Sequence, residues 1–242
     1  MKYLLGLLLA CSLNTAVQAQ HLMGGKITFE RKTNIHQAYE GSEWFEDAKA
    51  DIPKMVSNNF TLTFDTARSL YEPVPAAEDE KQKWYTPPGA ENRVVQSFAS
   101  GTVAAQKQIF EQVFRIEDSM PRHTWKISSE VRTIAGYACR KAVTRICDSV
   151  YVVAFYADEI PVSGGPEQFG GLPGMILQLV VPRLGTTWQA TSIQELRPDE
   201  ALMKLPASKS KPTTRAGLAT TIQSSLKDWG KWGSRAVWWS VL

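Results

Sequence analysis

Phe60-Thr61-Leu62-Thr63-Phe64 alternates large apolar side chains with threonine, the period of two that a half-buried strand imposes. Ser69-Leu70-Tyr71 continues that segment to Pro73. Strand candidates recur at Gly25 to Lys32, Arg93 to Phe98, Gln108 to Ile116 and Thr124 to Val131. The clearest pair is Arg132 to Arg145 with Val150 to Asp158, with Ile146 to Ser149 as the turn between them. Met175 to Val181 is an apolar run of strand length, and Thr186 to Ile193 alternates again and pairs with it across Pro182 to Gly185. No helix separates these strands at the spacing of a βαβ unit. The expected fold class is mainly β (α+β): a curved antiparallel sheet or partial barrel covered on one face by a C-terminal helix.

The breaks between strands are equally informative. Ile160 to Gly174 (IPVSGGPEQFGGLPG) holds five glycines and three prolines in fifteen residues, a composition that leaves only a loop. Glu72 to Glu91 is polar and proline-rich, carries the charge run EDEKQK, and reads as a solvated loop. Glu43 to Met55 is a weaker, helix-like segment interrupted by Pro53. Beyond Pro198 the character changes. Lys209-Ser210-Lys211-Pro212 is linker-like, and Ala216 to Trp232 places Leu218, Ile222, Leu226 and Trp229 at helical spacing. Four of the eight tryptophans fall in the last fourteen residues, either as an aromatic face docked on the sheet or as a contact surface for a membrane or partner.

The N-terminus reads as a leader. Lys2 gives a positive start, Tyr3 to Ala10 an apolar stretch, and Val17-Gln18-Ala19 a cleavage site after Ala19. The alternative is lipidation at Cys11, because Leu8-Leu9-Ala10-Cys11 resembles a lipobox. The expected organisation is a signal peptide over residues 1–19, an antiparallel β domain over 20–205, and a linker with an amphipathic, Trp-rich helix over 206–242. The expected location is outside the cytoplasm, periplasmic or associated with the outer membrane. Lys and Arg number 27 against 24 Asp and Glu, a balance that offers no footprint for nucleic acid. No later apolar run is long enough to span a bilayer as a helix.

Two cysteines lie beyond the leader. Cys139 falls in mid-strand and Cys147 in the turn, and eight extended residues reach roughly 25 Å, too far for a disulfide. Cys139 is therefore expected as a buried thiol that behaves as a small hydrophobe.

Little in the chain assembles into a reactive group. Only His21, His36 and His123 are available, none spaced with another ligand, so neither a metal site nor a cofactor is expected. The glycine-rich loop lacks the Lys-Ser or Lys-Thr pair of a nucleotide loop and does not open a helix. It is still where ligand contact is expected, through Phe169, Gly171, Leu172, Pro173 and Gly174, because loops on rigid sheets carry much binding. No catalytic residue is assigned. The expected function is a non-enzymatic binding or envelope-associated module, with a small apolar or peptide ligand or an outer-membrane protein as partner. The alternative is a hydrolase or transferase using Cys139 or the Asp158-Glu159 pair.

Gly171-Leu172-Pro173-Gly174-Met175-Ile176 resembles the signature of the GLPGLI family. Gly136-Tyr137-Ala138-Cys139-Arg140-Lys141-Ala142 is similar to a second stretch of that family, and Phe155-Tyr156 and Ile160-Pro161-Val162-Ser163 extend the match over about residues 124 to 195. The resemblance implies an exported protein of a Gram-negative lineage and supplies no mechanism.

Overall fold

The computed structural model describes residues 21–75, 86–109, 111–147 and 149–242. The leader, its cleavage site after Ala19, Cys11 and the EDEKQK run lie outside the described residues. Twelve strands form one sheet: β1 (Gly25–Asn34), β2 (Met55–Phe64), β3 (Arg68–Pro73), β4 (Arg93–Ser97), β5 (Thr102–Ile109), β6 (Gln112–Ser119), β7 (Lys126–Ile134), β8 (Tyr137–Ile146), β9 (Val150–Ala157), β10 (Met175–Val181), β11 (Thr186–Glu195) and β12 (Pro212–Thr213). Their spatial order is β12-β6-β5-β4-β3-β2-β1-β11-β10-β9-β8-β7. The sheet is open, with β12 and β7 at its edges, and every pairing is antiparallel except β12 with β6. Helices are few: α1 (Ile35–Ala38), α2 (Glu43–Ala48), α3 (Arg215–Ser225) and α4 (Gly230–Val241). The mainly β class with covering C-terminal helices is thus as the alternation predicts.

Alternation decides which side chains meet. Phe29 faces Phe60 and Ile27 faces Leu62 across β1 and β2, while Tyr71 of β3 sits opposite both Leu62 and Val94. These residues share one buried face with Val103, Ala105 and Trp188. Phe60 and Tyr71 stack with ring centroids 4.8 Å apart.

Four boundaries differ from the sequence reading, each for a local reason. The tract Arg132 to Arg145 is two strands, because Ala135 and Gly136 both take positive φ and close a two-residue turn between Ile134 and Tyr137. Gln108 to Ile116 likewise spans the β5–β6 hairpin, and Ser69 to Tyr71 belongs to a separate strand, turned back by the Asp65 carboxylate accepting from Ala67 N and Arg68 N. The C-terminal helix is two helices. The first ends at Leu226 (φ −112°), and Trp229 (φ −96°) starts the second, so a stripe drawn as one helix is broken at its last member. Leu218, Ile222 and Leu226 are buried, whereas Trp229 is 49% exposed. Among the described residues no helix is long and apolar enough to cross a membrane.

Candidate functional site

Two charged residues occupy core positions of the sheet's alternation. Arg31 follows Ile27 and Phe29 in phase on β1, and Lys107 follows Val103 and Ala105 on β5. Both are buried. A third buried charge, Glu167 of the glycine-rich loop, acts on both electrostatically without forming an ion pair with either. That loop is not draped over the surface: it folds onto the inner face and most of it is buried. Gln96 of β4 fastens it by donating Nε2 to Glu167 O (3.1 Å) and Phe169 O (3.4 Å). Asn92 donates Nδ2 to Glu167 Oε2 at 2.9 Å.

The electrostatics follow from burial. Burial holds the Lys107 ammonium down to about 8, with nearby Glu167 opposing the shift and Arg215 adding to it. Glu167 is pushed up by burial, against the pull of Lys107, Arg31 and its Asn92 bond. The Tyr71 phenol is pushed well up by burial and by Glu167, and it accepts from Trp188 Nε1 at 2.9 Å. Arg31 donates to Pro88 O (3.0 Å) and Asn58 Oδ1 (3.2 Å), and its guanidinium lies 4.9 Å from the Phe60 ring centroid. One positive side chain therefore anchors the segment that follows Thr86, and one negative side chain anchors the glycine-rich loop.

Beside this polar cluster opens a cleft of about 590 Å³. One wall is the segment from Thr86 to Asn92, and the other is α4 with the turn before it. Lys107 and Asn92 contribute from the polar cluster, and Glu91 and Glu111 add carboxylates. Four aromatic residues line it: Tyr39, Trp229, Trp232 and Trp239. Trp229 and Trp232 have ring centroids 5.0 Å apart, and Tyr39 lies nearly parallel to Trp232 at 6.3 Å. Lys107 donates Nζ to Ser240 O at 3.1 Å, tying β5 to α4. The Trp239 Nε1–H is buried with no hydrogen-bond partner. Aromatic faces and a few convergent polar groups are what a small-ligand site consists of.

A second cavity of about 220 Å³ lies between the β8–β9 turn, the start of α3 and the chain's last residues. His123, Gln168, Phe169 and Arg215 border it. The His123 ring stacks on Phe169 at 5.0 Å, and burial followed by repulsion from Arg215 lowers its imidazole to about 4.

The five residues expected to contact ligand do not line the large cleft. Phe169 and Leu172 are core residues, each 2% exposed, and Phe169 also borders the smaller cavity. Gly171 and Pro173 are exposed. Gly174 packs so closely that a Cβ there would lie 2.0 Å from Ala157 O. Cys139 and Cys147 form no disulfide; Cys139 is buried in β8 and its thiol is pushed up to about 12, chiefly by burial. Asp158 forms an exposed ion pair with Arg140 at 3.4 Å. Neither Asp158, Glu159 nor Cys139 borders either cavity. Among the described residues no three metal-ligating side chains cluster.

The sequence reading missed Arg31, Lys107, Asn92 and Glu167. For two of them a signal was available: a charge in phase with a run of core positions is a buried charge that needs a partner. Glu167 offered none, because a carboxylate in a loop ordinarily faces water.

Comparison with known proteins corrects the family. The sequence model described as "N-glycanase peptide, N-terminal domain" matches residues 55–213, more than half of the chain. No curated protein matches. Two structures of PNGF-II, in C2 and P21 crystals, superpose with TM-scores of 0.53 and 0.54 at 16% identity, over 90% of this chain. They share its fold, and the chain spans about a third of their length, 33% and 34%. An uncharacterised conserved protein from Thermus thermophilus aligns with a TM-score of 0.41 at 8% identity, over 80% of this chain and 91% of its own, too loosely to bear on the argument. The GLPGLI resemblance is overturned by the matched family, whose span contains Gly171 to Ile176. That motif records how a loop must pack, with Gly174 pressed on Ala157, and packing of this kind does not identify a family. The reading as a non-enzymatic module falls with it, since the matched family is named for an enzyme.

Proposed function

This chain belongs to the N-glycanase peptide, N-terminal domain family, and on that premise we propose that it serves the hydrolytic removal of N-linked glycans from glycoproteins, engaging the substrate in its aromatic cleft. The supporting observation is the cleft itself: Tyr39, Trp229, Trp232 and Trp239 beside Lys107 and Asn92, in a volume of about 590 Å³. Aromatic walls suit the apolar faces of sugar rings, and fixed polar groups suit their hydroxyl and amide edges.

Hydrolysis through Cys139 has no place in this proposal. A nucleophilic cysteine acts as its thiolate, and a buried thiol pushed up to about 12 stays protonated. The partner in this reading is a glycosylated polypeptide, the one substrate that joins sugar to peptide. Such substrates are met outside the cytoplasm, and export by the leader over residues 1–19 belongs to the same proposal.

The test pairs activity with binding. The protein is incubated with an N-glycosylated glycoprotein and with the same protein after deglycosylation, and glycan release is followed by mass. Binding to both forms is measured in parallel by calorimetry. Glycan release, or binding confined to the glycosylated form, is the expected result. Equal indifference to both forms overturns the proposal.

A further inference from the structure

We infer that the smaller cavity, between the β8–β9 turn and the start of α3, takes a small aromatic monocarboxylate, its carboxylate on Arg215 and Gln168 and its ring against Phe169. The inference stands apart from the aromatic cleft and concerns a second ligand.

Size sets the first limit. The cavity measures about 220 Å³, and an apolar cavity of ~150 Å³ accommodates benzene. The space here suits one six-membered ring with a short arm and is too small for a disaccharide. The lining sets the second limit. Ile146, Phe169, Ala216, Ala219 and Val241 offer apolar surface to such a ring. Among the described residues that border the cavity, Arg215 carries the one side-chain charge at neutral pH, since burial and then Arg215 itself keep His123 uncharged.

The polar groups set the third limit. Gln168 is 2% exposed. Its Oε1 accepts from Arg215 Nη1 at 3.2 Å, which fixes the amide, and its Nε2 is buried with no acceptor. Arg215 Nη1 also donates to Ser119 O at 2.8 Å, and Nη2 stands 3.6 Å from Asp118 Oδ2. Those contacts account for three of the five N–H groups of a guanidinium and leave Nε–H and one Nη2–H. Amide and guanidinium N–H groups only donate, so the group that completes them must present acceptors side by side. A carboxylate does so and answers the charge of Arg215. The eleven-residue helix α3 begins at Arg215, and its dipole favours the same sign. Asp118 shares Arg215 from outside the lining, which suits the site to a single negative charge rather than a dianion such as phosphate.

The probes are phenylacetate, phenylacetamide, phenethylammonium and acetate, titrated against the intact protein by calorimetry while the His123 and Phe169 ring signals are followed by NMR. Saturable binding of phenylacetate is expected, with both rings shifted. Phenylacetamide keeps the shape and loses the charge, and should bind about tenfold more weakly, the order of one charge-assisted hydrogen bond. Acetate keeps the charge and loses the ring, and should weaken by at least about tenfold. Phenethylammonium should not bind measurably. Ala219→Leu places a good helix former in α3 and fills the cavity, so it should abolish phenylacetate binding and leave the chain folded. Arg215→Gln should bring acid and amide to equal affinity. If Arg215→Gln does not fold, Ala219→Leu and the acid–amide comparison in the parent decide alone. Absence of phenylacetate binding, equal affinity of acid and amide in the parent, or full binding by Ala219→Leu overturns the inference. Acetate as tight as phenylacetate overturns it too, leaving an adventitious ion only. Glycan release reads the other cleft, so the proposed function and this site stand or fall separately.

Discussion

Asn92 Nδ2 donates to Glu167 Oε2 over 2.9 Å, a buried bond that joins the wall of the aromatic cleft to the glycine-rich loop. Each residue belongs to a segment with little regular structure, and each segment is held by a polar side chain of the sheet. Arg31 grips Pro88 O on one side, and Gln96 grips the backbone at Glu167 on the other. The cleft is therefore shaped by a polar network set into an otherwise apolar sheet face.

Glu167→Ala should expose that dependence. It takes from Asn92 its buried acceptor and from Arg31 and Lys107 a nearby opposing charge, and a buried polar group left unpaired costs roughly 1–3 kcal/mol. Glu167→Gln keeps the shape and an acceptor for Asn92, so its cost should be smaller. Urea unfolding of the two variants checks the order. An alanine variant as stable as the parent would show that the network does not hold the fold.

Gly174→Ala and Gly171→Ala should separate two uses of glycine. At position 174 a Cβ would stand 2.0 Å from Ala157 O and 2.7 Å from Ala157 C, both backbone atoms that cannot swing aside. At position 171 the constraint is φ +83°, with Trp125 Nε1 the nearest neighbour at 3.8 Å. Left-handed backbone costs an L-residue roughly 1–2 kcal/mol. Gly171→Ala should thus remain folded with a modest loss in denaturant midpoint, and Gly174→Ala should lose far more. Similar losses would mean that the loop relaxes away from β9.

His123 should make the protein sensitive to mild acid. Its ordinary value of 6.5 is lowered to about 4 in the folded chain, so between these values the unfolded chain binds more protons. Stability from this group is whole above pH 6.5 and is lost as pH falls towards 4. His123→Phe keeps a ring to stack on Phe169 and should flatten that part of the stability profile. The imidazole titration, followed by NMR, should centre near 4; a midpoint near 6.5 would place the ring in water.

The two thiols should react differently. At about pH 8, iodoacetamide should label exposed Cys147 and spare Cys139, which is buried and pushed up to about 12. Both should label in denaturant. Prompt labelling of native Cys139 would restore it as a candidate nucleophile.

The strands were legible because alternation reports one buried face directly: Phe60, Leu62 and Phe64 all prove to be buried. The hairpin at Ala135-Gly136 was not, since alanine gives no warning of a positive φ. The cleft was less legible still. It unites Tyr39, Lys107 and Trp239, which are remote in sequence, and only the folded order of strands brings β5 beside α4. Counting Gly and Pro found the loop, but composition alone did not show that it folds onto the inner face of the sheet with Gly174 packed against Ala157.

The last expectation concerns the C-terminal helices, for which the tryptophan-rich sequence allowed either docking or an outward surface. The two tasks are divided among the side chains. Leu218, Ile222, Leu226, Trp232, Trp239 and Leu242 belong to the main core, while Trp229 stands half-exposed at the cleft. Ile222→Ala should therefore cost roughly 2–5 kcal/mol, as other large-to-small core changes do. Deleting residues 216–242 removes all six core side chains, together with the Ser240 carbonyl that accepts from Lys107. The buried ammonium then lacks its acceptor, and the sheet face beneath the helices is open to water. Loss should be cooperative across the whole domain, seen as one broadened or absent transition in calorimetry rather than the disappearance of a separate small one. Trp229→Ala should leave the same transition almost unmoved. A truncated protein that melts like the full chain would make α3 and α4 an appendage, and the cleft between α4 and β5 would lose its structural basis.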